Sequence, residues 1–243
     1  MDNNRTLLFG EGLFETIRWY PGEEKLRLHY NRLSGSAKTL GIPYPSYEEF
    51  LQDIRNAVKG SEGLYVKYLL VSEGEDYYGS EPSSYKSLVL VKTLREPPME
   101  LSLCLSSYRR HSTDPVCRHK TTSYLFNVLV KREAKSRGFY DGLILNEKDY
   151  LCETSSSNLL LVKGSKLYTP AKECGLLWGT TLELLRKSFD IREEYLRLWD
   201  IERADGVFVL NSLVLCLPVK RFEDKSLRLD TEVLSELQRA LSQ

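Results

Sequence analysis

The order of strand and helix signals constrains this chain most, because it never settles into an alternation of the two. Residues 14–20 (FETIRWY) read as a strand, closed by a Pro21-Gly22 turn. Residues 28–40 carry helical spacing and stop at Gly41-Ile42-Pro43. Ser46 and Glu49 form a capping box, after which Phe50, Ile54 and Val58 mark one face of a helix reaching about Lys59. Three strand signals then follow in succession, at 63–72, 86–92 and 101–106. A helical pattern over 124–137 stops at Gly138. Short strands at 143–145, 158–162 and 166–168 are joined by turns such as Lys163-Gly164-Ser165. A helix over 181–189, strands at 206–210 and 213–219, and a last helix over 231–241 capped by Asp230 complete the chain. Such an order predicts an α+β fold rather than a doubly wound sheet. The Arg95-Glu96-Pro97-Pro98 segment reads as a connector. It divides a small N-terminal α/β domain, 1–97, from a larger C-terminal domain, 98–243, and 243 residues suffice for two modest cores.

Charge and cysteine usage narrow the function. Lys+Arg and Asp+Glu are equal at 34 each, and the basic residues are scattered, so nucleic acid and anionic membranes are not expected partners. Five cysteines are spread without a Cys-x-x-Cys pair, and the three histidines do not cluster. That disfavours zinc and a disulfide framework, and predicts reduced thiols in the cytoplasm. The first residues, Met1-Asp2-Asn3-Asn4-Arg5, hold no apolar signal segment, and no apolar run reaches membrane-spanning length.

Lys120 lies in Arg118-His119-Lys120-Thr121-Thr122-Ser123-Tyr124, upstream of Glu153-Thr154-Ser155-Ser156-Ser157-Asn158 and of Gly179-Thr180-Thr181 opening a helix. A lysine, an isolated glutamate and a Gly-Thr-Thr helix start are the parts that hold an aldehyde cofactor bearing a phosphate. Helix N-termini offer unpaired N–H groups and partial positive charge to a phosphate. Arg32, three residues after His29, and Asn211-Ser212 at a strand end are further phosphate candidates. Glu153 suits an acidic partner for a pyridine nitrogen, and Lys120 suits a nucleophile that also moves protons. Each residue has a plainer reading as well: a helix cap, a strand-end turn, a solvated arginine, a loop glutamate, a surface lysine. No Gly-x-Ser-x-Gly elbow accompanies the serine run, so a hydrolase triad has no support.

Taken in order, these segments resemble the fold-type IV pyridoxal 5'-phosphate enzymes, a family of branched-chain aminotransferases, D-amino-acid aminotransferases and 4-amino-4-deoxychorismate lyases. The resemblance spans nearly the whole chain. The run from Phe9 to Arg18 (FGEGLFETIR) is similar to the N-terminal signature, and His29-Tyr30-Asn31-Arg32-Leu33 to the His-x-x-Arg-Leu helix. The likeness implies Lys120 as the covalent anchor of the cofactor and Arg32, Thr180, Thr181, Asn211 and Ser212 as phosphate contacts. It also implies Glu153 at the ring nitrogen and Tyr124 near the phenolic oxygen. Thr16 stands where branched-chain aminotransferases carry glycine, and Asn211-Ser212-Leu213 with Pro218-Val219 is similar to the lyase pattern. The lyase branch is therefore favoured, with a branched-chain or D-amino-acid aminotransferase as the alternative.

The lyase branch implies 4-aminobenzoate and pyruvate as products, for folate synthesis, and a homodimer. Lys120 would move the protons, with Thr16 assisting. A substrate with two carboxylates would call for basic groups, and Lys67, Arg109 and Arg110 are candidates. The chain departs from the pattern in four places. Only eight residues precede Phe9, so the family's first strand pair is expected to be missing or abbreviated here. Trp178 replaces a common proline, and Leu182 a common arginine. Glu73-Gly74-Glu75-Asp76 offers no arginine for the carboxylate of a D-amino acid.

Overall fold

The computed structural model describes residues 3–20 and 23–242, so the expected Pro21-Gly22 turn lies outside the described residues. The chain folds as two compact units. The first runs to Glu96 and takes in His119–Tyr124; the second comprises Pro97–Arg118 and the chain from Leu125 onward.

In the first unit, α1 (Arg5–Phe9) leads into β1 (Gly12–Trp19), then α2 (Glu23–Thr39), α3 (Tyr47–Val58), β2 (Leu64–Gly74) and β3 (Pro82–Thr93). The strands form an antiparallel sheet in the order β1-β2-β3. One face is apolar in alternate positions: Leu13, Ile17 and Trp19 of β1, and Val66, Tyr68 and Leu70 of β2. It packs on Leu26, Leu33 and Ala37 of α2 and on Phe50, Ile54 and Val58 of α3. Each such valine, leucine, isoleucine or phenylalanine side chain, fully buried, contributes about 1.5–3 kcal/mol. The capping box of α3 is formed: the Glu49 N–H donates to Ser46 Oγ at 3.2 Å, and the Ser46 N–H to Glu49 Oε2 at 2.7 Å. Helix α2 starts earlier than its sequence pattern predicted because Leu26 extends the buried stripe by one turn. A short helix, α1, precedes β1. Its buried Arg5 bonds Glu11, the carbonyls of Glu75 and Tyr77, and Ser80 Oγ.

His119–Tyr124 runs beside β1. The Phe14 N–H donates to the Lys120 carbonyl at 2.9 Å, and the Thr122 N–H to the Gly12 carbonyl at 2.9 Å. Gly10 has φ 68°, and a Cβ there would collide with Ser123 Oγ. Only glycine meets both demands.

The second unit contains β4 (Leu101–Arg110), α4 (Leu125–Ser136), β5 (Asp141–Asn146), β6 (Leu151–Thr154), β7 (Asn158–Lys163), β8 (Lys166–Pro170), α5 (Thr180–Leu185), β9 (Ile191–Glu194), α6 (Leu198–Arg203), β10 (Gly206–Asn211), β11 (Leu215–Phe222), β12 (Lys225–Ser226) and α7 (Thr231–Ser242). Its sheet runs β6-β5-β4-β11-β10-β7-β8-β9, with β12 on β11. Pairing is mixed: β11/β4, β4/β5 and β8/β9 are parallel. The sheet curls, so that β6 also lies against β7 and β8. Leu159 and Leu161 of β7 face one core, whereas Leu160 and Val162 face another with Leu182, Leu185 and Leu237. Burial on both faces is why this strand reads as a continuous apolar run.

The fold is α+β, as the order of signals predicted. Helix α5 ends before Phe189 because the backbone tightens after Leu185, with Lys187 and Ser188 each bonding three residues back. The elements that sequence reading missed (α1, β6, β9, α6 and β12) have two to six residues, too few to show a period. Among the described residues, no helix is long and apolar enough to cross a membrane.

Candidate active site

The expected site residues divide between the units. Thr16, Arg32, Lys120 and Tyr124 lie in the first; Glu153, Thr180, Thr181, Asn211 and Ser212 lie in the second.

In the first unit, the alternation of β1 sends Glu15 to the same side as Leu13 and Ile17, toward α2. A fully buried carboxylate there needs partners. His29 and Arg32, three residues apart on one face of α2, supply them. Arg32 Nε donates to Glu15 Oε1 at 2.9 Å, and Arg32 Nη2 to Oε2 at 2.5 Å. His29 Nδ1 lies 2.6 Å from the same Oε2. Burial resists ionisation of Glu15, but the Arg32 charge and the bonds from His29 and Arg32 outweigh it, and its pKa falls to about 2. Burial drives the His29 pKa down, and the bond and charge of Glu15 only partly restore it. Arg32 is thus clamped by a carboxylate that sequence reading did not single out. The signal was a charged residue in the apolar phase of a strand.

The opposite phase of β1 presents Phe14, Thr16 and Arg18. Lys120 Nζ stands 4.5 Å from the centre of the Phe14 ring, and Lys67 Nζ 4.2 Å from it. Tyr124 meets Phe14 edge-on at 5.0 Å and is itself 5.4 Å from Lys120 Nζ. Thr16 pairs with Lys67 in register and hydrogen-bonds the Tyr65 hydroxyl. Burial, then the charge of Lys92, push the Lys67 pKa down. The structure therefore gathers Lys120, Tyr124 and Lys67 around Phe14, with Thr16 two residues further along the same face of β1.

In the second unit, Glu153 sits on β6 rather than in a loop. Its Oε1 accepts from Arg110 Nη1, and its Oε2 from the Leu177 N–H at 3.3 Å. Arg110 is itself buried, with its guanidinium 5.0 Å over the Phe126 ring. Burial opposes its charge, yet Glu153 outweighs that and raises its pKa. Arg110 is therefore committed to Glu153, not to a substrate carboxylate. Arg109 is likewise paired, with Asp149 at 2.5 Å. Thr180 and Thr181 are buried at the start of α5, where Gly179 provides no side-chain cap. Asn211 shapes its own turn: Oδ1 accepts from the Leu213 and Val214 N–H groups at 2.9 Å, and Nδ2 donates to Ser157 Oγ at 2.8 Å. Ser212 stands on that turn. Trp178 Nε1 bonds Glu183 at 2.7 Å, and Leu182 is buried in the core.

Sequence reading also missed Asp141. This buried carboxylate accepts from Ser155 Oγ at 2.5 Å and Ser156 Oγ at 3.0 Å, and fixes the serine run after Glu153. These groups fit pyridoxal 5'-phosphate. An arginine-paired carboxylate suits a ring nitrogen, and an uncapped helix start with two buried threonines suits a phosphate. Among the described residues, no group of three or more acidic, His or Cys side chains could hold a metal.

Comparison with known proteins agrees with this chemistry. A branched-chain-amino-acid aminotransferase assigned provisionally in Methanocaldococcus jannaschii is 29% identical, over 88% of this chain and 79% of its own. The aminodeoxychorismate lyase of Vibrio harveyi is 27% identical, over 89% and 84%. The crystal structure of a provisionally assigned 4-amino-4-deoxychorismate lyase from Legionella pneumophila superimposes with a TM-score of 0.88 at 27% identity, covering 99% of this chain and 93% of that one. A family model described as amino-transferase class IV matches residues 12–222, and the chain belongs to that family.

Proposed function

We propose that this protein is a pyridoxal 5'-phosphate-dependent lyase converting 4-amino-4-deoxychorismate to 4-aminobenzoate and pyruvate, a step of folate synthesis. Pyridoxal 5'-phosphate is the cofactor. The observation that carries the lyase reading is the outward face of β1 and β2. There Thr16 and Lys67 lie in register beside Lys120, with Lys92 close enough to Lys67 to lower its pKa. Cations and a hydroxyl suit a substrate with carboxylates better than a branched aliphatic side chain. Leu88 and Leu90 of β3 offer the same face apolar surface for a ring.

The cofactor supplies an aldehyde for the substrate amine and a ring that accepts the electron pair left at the amine-bearing carbon. The side chains do the rest. Lys120 would anchor the cofactor and, once free of it, would take the proton from the amine-bearing carbon of the substrate. Glu153, paired with Arg110, would hold the proton on the ring nitrogen. On this reading Arg32, Thr180, Thr181, Asn211 and Ser212 would hold the phosphate, and Tyr124 would serve the phenolic oxygen. Lys120, assisted by Thr16, returns a proton to the methylene of the departing enolpyruvate. Aromatisation of the product makes the elimination favourable, so no second oxo acid is consumed. We further infer a cytoplasmic homodimer. Five free, buried cysteines suit a reducing compartment, and the first unit exposes Leu7, Leu8, Tyr77 and Tyr78.

The test is incubation with aminodeoxychorismate and no oxo acid. Pyruvate and 4-aminobenzoate should appear in equal amounts. No pyruvate, with efficient amino transfer to 2-oxoglutarate, establishes instead an aminotransferase, the reading that the 29%-identical relative favours. Lys120→Ala should abolish the visible absorbance of the bound cofactor; an unchanged spectrum would mean that another lysine is the anchor.

A further inference from the structure

The run from Glu153 to Asn158 is fastened at both ends to one residue. Glu153 Oε2 accepts from the Leu177 N–H at 3.3 Å, and Asn158 Nδ2 donates to the Leu177 carbonyl at 2.8 Å. Leu177 lies two residues before Gly179. The Asn158 amide then turns its Oδ1 into the space beside Gly179, where a Cβ would collide with it. Both Asn158 and Leu177 lie in the second unit, and Asn158 is 4% exposed. One buried amide therefore sets the peptide that bonds the acid and also the glycine that opens α5.

We propose that Asn158 is a positioning residue that couples the ring-nitrogen acid, Glu153, to the phosphate turn, Gly179–Thr181. This rests on the cofactor reading above. Replacing the amide frees the 177–179 peptide, so the turn loses its place for a phosphate and the Leu177 N–H shifts relative to Glu153. A purely structural asparagine would cost stability without changing which part of a ligand is recognised.

The experiment measures binding of pyridoxal 5'-phosphate and of pyridoxal, which lacks the phosphate, by visible absorbance on the full chain. Asn158→Asp is nearly isosteric, keeps an oxygen beside Gly179 and loses the donor to Leu177; Asn158→Ala is the second variant. The preference for the phosphorylated ligand should fall by about tenfold or more, the size of effect expected when a supporting residue is removed. The pH dependence of the bound-cofactor absorbance should shift in the same variants. Gly179→Ala should reproduce the loss, and Gly179→Ala combined with Asn158→Ala should be no worse than either alone. Equal weakening of both ligands, or strictly additive losses in the double variant, would overturn the coupling. If the unaltered protein binds neither ligand, the cofactor reading itself fails and takes the proposal with it.

Discussion

Each unit buries one carboxylate against an arginine, and the two pairs are built differently. Glu15 takes its partners from a single helix, His29 and Arg32, 14 and 17 residues away. One strand and one helix complete that cluster. Glu153 draws on Arg110, 43 residues upstream, and on the Leu177 backbone, 24 downstream. That pair exists only once several strands of the curled sheet are assembled. The local cluster holds one arginine rigidly and stabilises its own unit. The long-range pair fixes an acid whose work, on the proposed function, is to keep a proton on a bound ring.

The largest separation between the two should appear in turnover. Glu153→Gln keeps shape but removes the charge, and should lower kcat by about 10³-fold with cofactor still bound. Glu15→Gln should stay within about tenfold in kcat, because its charge serves Arg32 and not a ring proton. Comparable kcat losses in the two variants would erase the distinction.

Removal of the arginine from the long-range pair comes next. Arg110→Met leaves the Glu153 charge buried without its cation, at a cost of about 3–5 kcal/mol in urea unfolding. The double variant Arg110→Met/Glu153→Met should recover most of that stability and none of the activity. A double variant as unstable as Arg110→Met would mean that packing over Phe126, not charge, dominates the site.

The local pair predicts a pH signature. The Glu15 pKa falls from 4.5 to about 2 on folding, which corresponds to about 3 kcal/mol at neutral pH. Because the folded value is the lower one, this stability is present above pH 4.5 and lost as pH falls toward 2. The stability gap between wild type and Glu15→Gln should narrow over that window. A gap that persists at the acid end would assign it to shape rather than to charge.

The two pairs also differ in how far the sequence announced them. Arg32 and His29 stood out through their helical spacing, and the alternation of β1 already placed Glu15 inward with Leu13 and Ile17. Their meeting is local geometry and could have been read. Arg110 could not, because its burial depends on β4 lying between β11 and β5. It therefore looked like a solvated cation fit for a substrate carboxylate. Asp141 was hidden for the same reason: its hydroxyl partners at Ser155 and Ser156 arrive only when β6 pairs with β5. Lys120 and Tyr124 stood out as motif positions, but their common neighbour, Phe14, emerges only when 119–124 lies along β1.

The smallest effect concerns His29, the third member of the local cluster. Burial lowers its pKa first, the bond and charge of Glu15 pull it back, and the charges of Arg32 and Lys120 lower it again. The folded protein thus resists protonating a ring that the unfolded chain protonates near pH 6.5. Where the unfolded state binds more protons, stability rises with pH, so this ring erodes stability as pH drops below about 6.5. His29→Gln retains an N–H donor for Glu15 and removes the titration. At pH 8 it should cost about 1 kcal/mol, through a poorer hydrogen bond. Below pH 6 its deficit against wild type should shrink, because only wild type carries the proton penalty. A deficit that widens in acid would mean that His29 enters the folded cluster protonated, and the local site would then hold two cations on one carboxylate instead of one.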